Sequence, residues 1–70
     1  MPIALAPINE QMQIIRVVCD SKENARLASL GVTKGASIVI LNSQKGAVVI
    51  LVKGSRLALD RGTASRIFVA

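Results

Sequence analysis

Aliphatic residues recur along this chain in short runs, each cut off by glycine or by a cluster of small polar residues. Runs this short and this rich in valine and isoleucine predict β-strands. Gln11 to Cys19, with Met12, Ile14, Ile15, Val17 and Val18, reads as a strand despite imperfect alternation. Ile38–Leu41 and Ala47–Val52 flank the polar segment Asn42–Gly46, which predicts a hairpin with a polar loop. Lys53-Gly54-Ser55 is a second tight turn leading into Arg56–Leu59, and Ile67–Val69 reads as a closing strand. Both prolines fall within residues 1–8, where a short extended edge segment is expected because proline lacks the donor a central strand needs.

One helix interrupts the strands. Asp20 can cap the first free amides, and Glu23 three residues later can reach back, as in a capping box. Leu27 and Leu30 share a helical face, and Gly31 supplies the left-handed conformation that ends a helix. The spacing predicts a helix over about 21–30, after which Gly35 opens the next strand. Asp60 and Thr63 can cap a single helical turn near 61–65. Five or six short strands and one short helix predict a mainly β, small barrel over residues 1–70 as one domain, since closure removes exposed edges.

The faces of the strands follow by counting. A two-residue turn across Gly54, whether Lys53-Gly54 or Gly54-Ser55, places Val48, Ile50 and Val52 on the same side as Leu57 and Leu59. Those residues are the expected interior. Val49 and Leu51 then lie on the opposite side beside Arg56 and Ala58. Two outcomes stay open for that outer face: an exposed interaction surface, or a face covered by the helix or the N-terminal segment.

Composition narrows the chemistry. The 70 residues are 51% hydrophobic with one aromatic, one cysteine and no histidine. Cys19 has no partner for a disulfide within the chain, and the set His/Cys needed for structural zinc is missing. A lone unpaired cysteine fits a reducing, cytoplasmic compartment. The apolar start Met1–Ala6 lacks the basic leader and length of a signal peptide, and no apolar run approaches the roughly 20 residues of a membrane span.

Without histidine the commonest general base is gone, and Glu10, Asp20, Glu23 and Asp60 look scattered, so no enzyme, cofactor or metal site is expected. Cys19 and Asp20 are adjacent, and neighbours on a strand point to opposite faces. The net charge of +5 admits nucleic acid as a partner, but single-strand binders stack bases on aromatics and only Phe68 is available. Attraction to an anionic membrane surface accounts for the basic residues better, and plain solubilisation of an aliphatic domain accounts for most of them.

Two stretches resemble a known family. Arg26-Leu27-x-x-Leu30-Gly31-Val32-x-x-Gly35-x-x-Ile38, and Gly54-x-Arg56-Leu57-Ala58-Leu59 followed by Ala64-x-x-Ile67-x-Val69, are similar to the two signatures of FeoA, the small cytosolic A component of bacterial ferrous iron transport. The resemblance covers the whole chain. It implies an SH3-like barrel and a non-enzymatic adaptor that docks to the cytoplasmic part of a GTPase-linked, FeoB-type transporter; Arg56 lies just inside a hairpin strand, which suits docking or a plain solvated face better than an arginine finger. The alternatives are a nucleic-acid-binding barrel and a self-associating, homo-oligomeric module. Two departures from the family are visible: Pro7-Ile8-Asn9 stands where a Pro-Gly turn is frequent, and Ser43-Gln44-Lys45-Gly46 replaces a longer central loop. The same domain occurs at the C-terminus of metal-dependent repressors, a context not expected here because these 70 residues hold no helix-turn-helix.

Overall fold

Two turns of two residues each shape most of the sheet. In a computed structural model describing residues 1–70, strands β1 (Gln11–Val17), β2 (Ser37–Gln44), β3 (Ala47–Val52), β4 (Ser55–Leu59) and β5 (Ile67–Val69) form one antiparallel sheet in the order β4-β3-β2-β1-β5. Lys45-Gly46 joins β2 to β3 with φ of 53° and 85°, and Lys53-Gly54 joins β3 to β4 with φ of 50° and 77°. Positive φ at both central residues is the type I′ geometry, whose twist matches that of the strands it connects.

The first turn corrects the expected polar loop Asn42–Gly46. The strand continues through Asn42-Ser43-Gln44, and only Lys45-Gly46 lies between the paired residues Gln44 and Ala47. Asn42 and Gln44 face solvent, while Ser43 Oγ donates to the Ala4 carbonyl at 3.0 Å, so the polar residues fit a strand. A register shift between Ile40 and Asn42 and a second between Ile14 and Arg16 bend the sheet, as bulges do.

The bent sheet forms a small SH3-like barrel that is not fully ringed by strand pairing. Its terminal strands, β4 and β5, are not paired to each other. The short helix α2 (Arg61–Ala64) spans between them and buries Ala64 completely. Asp60 caps it, accepting from the Thr63 amide at 2.8 Å.

The extended segment expected over residues 1–8 is confined to Met1 and Pro2. Met1 exchanges hydrogen bonds with Val69 (2.7 and 2.8 Å), and Pro2 bridges Phe68. A 3-10 turn over Ile3–Leu5 follows. It drives Ile3 and Ala6 into the core, which is why the chain leaves the sheet so early. Asn9 takes φ 65° and donates its amide to the Ile40 carbonyl at 2.7 Å. Asparagine is among the few residues that enter this region readily.

Helix α1 runs Ser21–Ser29, with Asp20 accepting from the Glu23 amide at 2.8 Å. Its end is a Schellman motif: Val32 N–H bonds the Leu27 carbonyl at 2.8 Å and Gly31 N–H bonds that of Ala28 at 3.0 Å. Gly31 has φ 93°, and a Cβ there would meet Val52 Cγ2 at 3.1 Å. This geometry corrects the pairing of Leu27 with Leu30. Leu27 is fully buried, but Leu30 is the C-cap and 41% exposed; its place against the core is taken by Val32, which the Schellman turn folds back. The strand before the helix ends at Val17, not Cys19.

The core gathers Ile3, Ile14, Leu27, Val32, Ile38, Ile40, Val48, Ile50, Val52, Leu59, Ile67 and Val69 with Ala6 and Ala64. Val48, Ile50, Val52 and Leu59 occupy the interior as counted. Leu57 only packs against its rim, half-buried, because β4 has a neighbour on one side only. No helix is long and apolar enough to cross a membrane.

Candidate interaction surface

The outer face of β2–β3–β4 is built in cross-strand rows. One row reads Gln11, Val39, Leu51, Arg56 across four strands, and the next reads Asn42, Val49, Ala58. The bulge at Leu41 decides the second row, since without it the apolar Leu41 would stand opposite Val49. The residues singled out in the sequence, Val49, Leu51, Arg56 and Ala58, are thus brought together on one face, Arg56 opposite Leu51 and Ala58 opposite Val49. Val39 completes the aliphatic strip; its burial pattern in β2 mirrors that of Leu51, and the strand alternation from Ile38 and Ile40 is the signal that points to it.

This face is left open. Val39, Val49 and Leu51 are half-buried and lie outside the core cluster, while Arg56 and Ala58 are exposed. The N-terminal turn engages the other side of the sheet, through Ser43, which pairs with buried Val48. Helix α1 reaches the interior through Leu27. A shallow groove of ≈ 410 Å³ runs over Val49 and Ala58 toward Asn42 and Gln44.

The acids are less scattered than the sequence suggests. Asp20, Glu23 and Asp60 line one cleft of ≈ 340 Å³ together with Cys19 and Arg66, because the caps of α1 and α2 face each other there. One oxygen of each acid is engaged. Asp20 and Asp60 each accept a cap amide, and Glu23 accepts from Arg26 Nε at 3.1 Å. Glu23 raises the Arg26 pKa, chiefly by that hydrogen bond; the Thr63 amide holds the Asp60 carboxyl below its ordinary value. No three of these groups converge closely enough to enclose a metal ion. The single aromatic, Phe68, is half-buried with the Arg16 guanidinium 5.8 Å from its ring centre, so its face is already engaged.

Comparison with known proteins extends over the whole chain. The FeoA domain family matches residues 1–70. A relative from Methanocaldococcus jannaschii, provisionally named Fe(2+) transport protein A, is 32% identical over 68 residues, covering 97% of this chain and 83% of its own. The crystal structure of an iron uptake regulatory protein (FeoA) superposes with a TM-score of 0.86 at 27% identity, covering 99% of this chain and 93% of that one. IdeR of T. acidophilum contains a similar unit, with a TM-score of 0.82 and 27% identity, over 99% of this chain but 32% of that chain.

Proposed function

The chain belongs to the FeoA family, and from that premise we propose that it is a cytoplasmic, non-enzymatic adaptor of ferrous iron uptake that docks to the cytoplasmic part of a FeoB-type transporter. Its work is binding rather than turnover: the chain has no histidine, and three of its four carboxylates, Asp20, Glu23 and Asp60, serve as helix caps or an ion-pair partner. The observation that carries the docking reading is the outer strip of Val49 and Leu51 beside Arg56 and Ala58. Half-buried aliphatics that support no core, bordered by an arginine, have the composition of an interface centre.

The test is capture of a transporter's cytoplasmic GTPase domain by the purified protein. Wild type binds, and the double variant Val49→Asp with Leu51→Lys stays folded and loses binding. Unfolding of the double variant would assign these side chains to the core. Retained binding by a folded double variant would remove the strip from the interface. A salt-titrated gel shift with RNA and DNA run alongside gives no complex on this reading.

A further inference from the structure

The free edge of β4 is itself a recognition element. In the β3–β4 hairpin Val52 pairs with Ser55, Ile50 with Leu57 and Val48 with Leu59 across a two-residue turn. In such a hairpin the closing pair is hydrogen-bonded and the bonds then recur at every second residue. Ser55, Leu57 and Leu59 therefore spend their backbone groups on β3. The N–H and C=O groups of Arg56 and Ala58 point the other way, toward the side of β4 where the sheet has no further strand, and neither residue takes part in any bond outside the ladder. Both are exposed.

Proteins usually blunt such an edge with proline, a bulge, a covering segment, a short strand or charged side chains. Strand β4 has none of the first three: its five pairs with β3 run in unbroken register, and α2 begins only after it ends; it is short and charged, which deters self-pairing but not a partner of opposite charge. What borders it is positive charge. Lys53 stands at its start, Arg56 within it, and Arg61 just beyond its end. Arg61 lies against Gly46, where a Cβ would meet its Cγ at 2.6 Å, and this places Lys45 at the same end. The one acid in this stretch, Asp60, caps α2 and turns into the cap-to-cap cleft with two of the other three, Asp20 and Glu23.

We infer that β4 is an acceptor edge for an extended, acidic segment of a partner protein, which adds as a further strand by bonding the free backbone groups of Arg56 and Ala58. Strand addition takes its affinity from main-chain bonds and its specificity from alternate side chains. Here the alternation is set by β4. An added residue on the outer face meets Arg56 and favours a carboxylate; one on the inner face meets Leu57 and favours an aliphatic. Pairing of two copies of this chain edge to edge is disfavoured, because it would place Lys53 and Arg56 of both on one strip between molecules of net charge +5 each. The inference rests on the docking reading and names the way the partner is held.

The probe is a synthetic peptide of alternating glutamate and valine, with an alternating lysine–valine peptide as its counterpart, titrated into ¹⁵N-labelled protein. Binding of the acidic peptide slows hydrogen exchange at the Arg56 and Ala58 amides and weakens as salt rises. Ala58→Pro, which removes an outward N–H and no ladder bond, abolishes it. Arg56→Glu, which keeps the backbone, raises Kd about tenfold or more and turns the preference toward the lysine peptide; it decides the matter if the proline variant does not fold. Equal binding of both peptides, unchanged exchange at the two amides, or a homodimer that protects them without peptide would overturn the inference. Transporter capture separates it from the docking reading. If wild type and folded Ala58→Pro capture the GTPase domain equally, the edge is wrong and docking stands. If neither captures it while the peptide results hold, the edge stands and the transporter is not the partner.

Discussion

At the scale of single residues, Asp60 ties charge to fold. Its carboxylate accepts the Thr63 amide that would otherwise be an orphan at the start of α2, and that bond lowers its pKa in the folded chain. A carboxyl with a lower folded than unfolded pKa binds fewer protons when folded. Its contribution is therefore present above the unfolded value of about 3.9 and is lost as pH falls through the folded one. The difference in melting temperature between wild type and Asp60→Ala should be largest near neutrality and shrink below about pH 4. A difference independent of pH would mean that the carboxylate's charge contributes nothing to the cap. Asp60 and Asp20 were legible as caps because each precedes a polar turn at the right spacing. Convergence of the two caps on one cleft was not legible, because it depends on how β5 and β1 bring the two helices together.

Among the elements, α1 shows how a capping motif overrides a simple face count. Leu27 and Leu30 share a face of an ideal helix, yet the Schellman turn ends the helix between them and substitutes Val32 for Leu30 in the core. Leu27→Ala should cost about 2–5 kcal/mol, a large part of the roughly 5–15 kcal/mol of a typical domain. Leu30→Ala should stay within about 0.5 kcal/mol, as surface changes do. Equal losses in urea denaturation would restore the helical-face reading. The strands themselves were readable from alternation, and even-numbered turns gave the facing of Val49 and Leu51 correctly. Two elements were not. The polar tail of β2 carries solvent-facing Asn42 and Gln44, which look like a loop because no apolar residue marks the buried side. The 3-10 turn at Ile3–Leu5 hides in an apolar, proline-bearing segment with no periodicity. The edge position of β4 is equally invisible, because it depends on which strands fail to meet.

For the whole molecule, segregation of charge and apolar surface matters more than any one group. Three acids sit around one cleft, already paired or capping, while the open face and the β4 edge carry aliphatics and cations. Titration calorimetry of the reduced protein with ferrous iron or zinc should accordingly find no one-to-one site tighter than about 1 μM; such a site would require the cleft to rearrange. The two type I′ turns have a kinetic meaning as well. They make β2–β3–β4 a meander of local contacts, whereas β1 and β5 come from opposite ends of the chain, Ile14 beside Val69. Closing short loops first loses little chain entropy, so the meander is the expected folding nucleus, with the terminal strand joining after the rate-limiting barrier. Ile50 and Ile67 are both fully buried and can be compared by the same truncation. In stopped-flow experiments Ile50→Val should slow refolding, whereas Ile67→Val should mainly hasten unfolding. The reverse assignment would place the nucleus where the ends of the chain meet, and the tight turns would then guide register without setting the order of events.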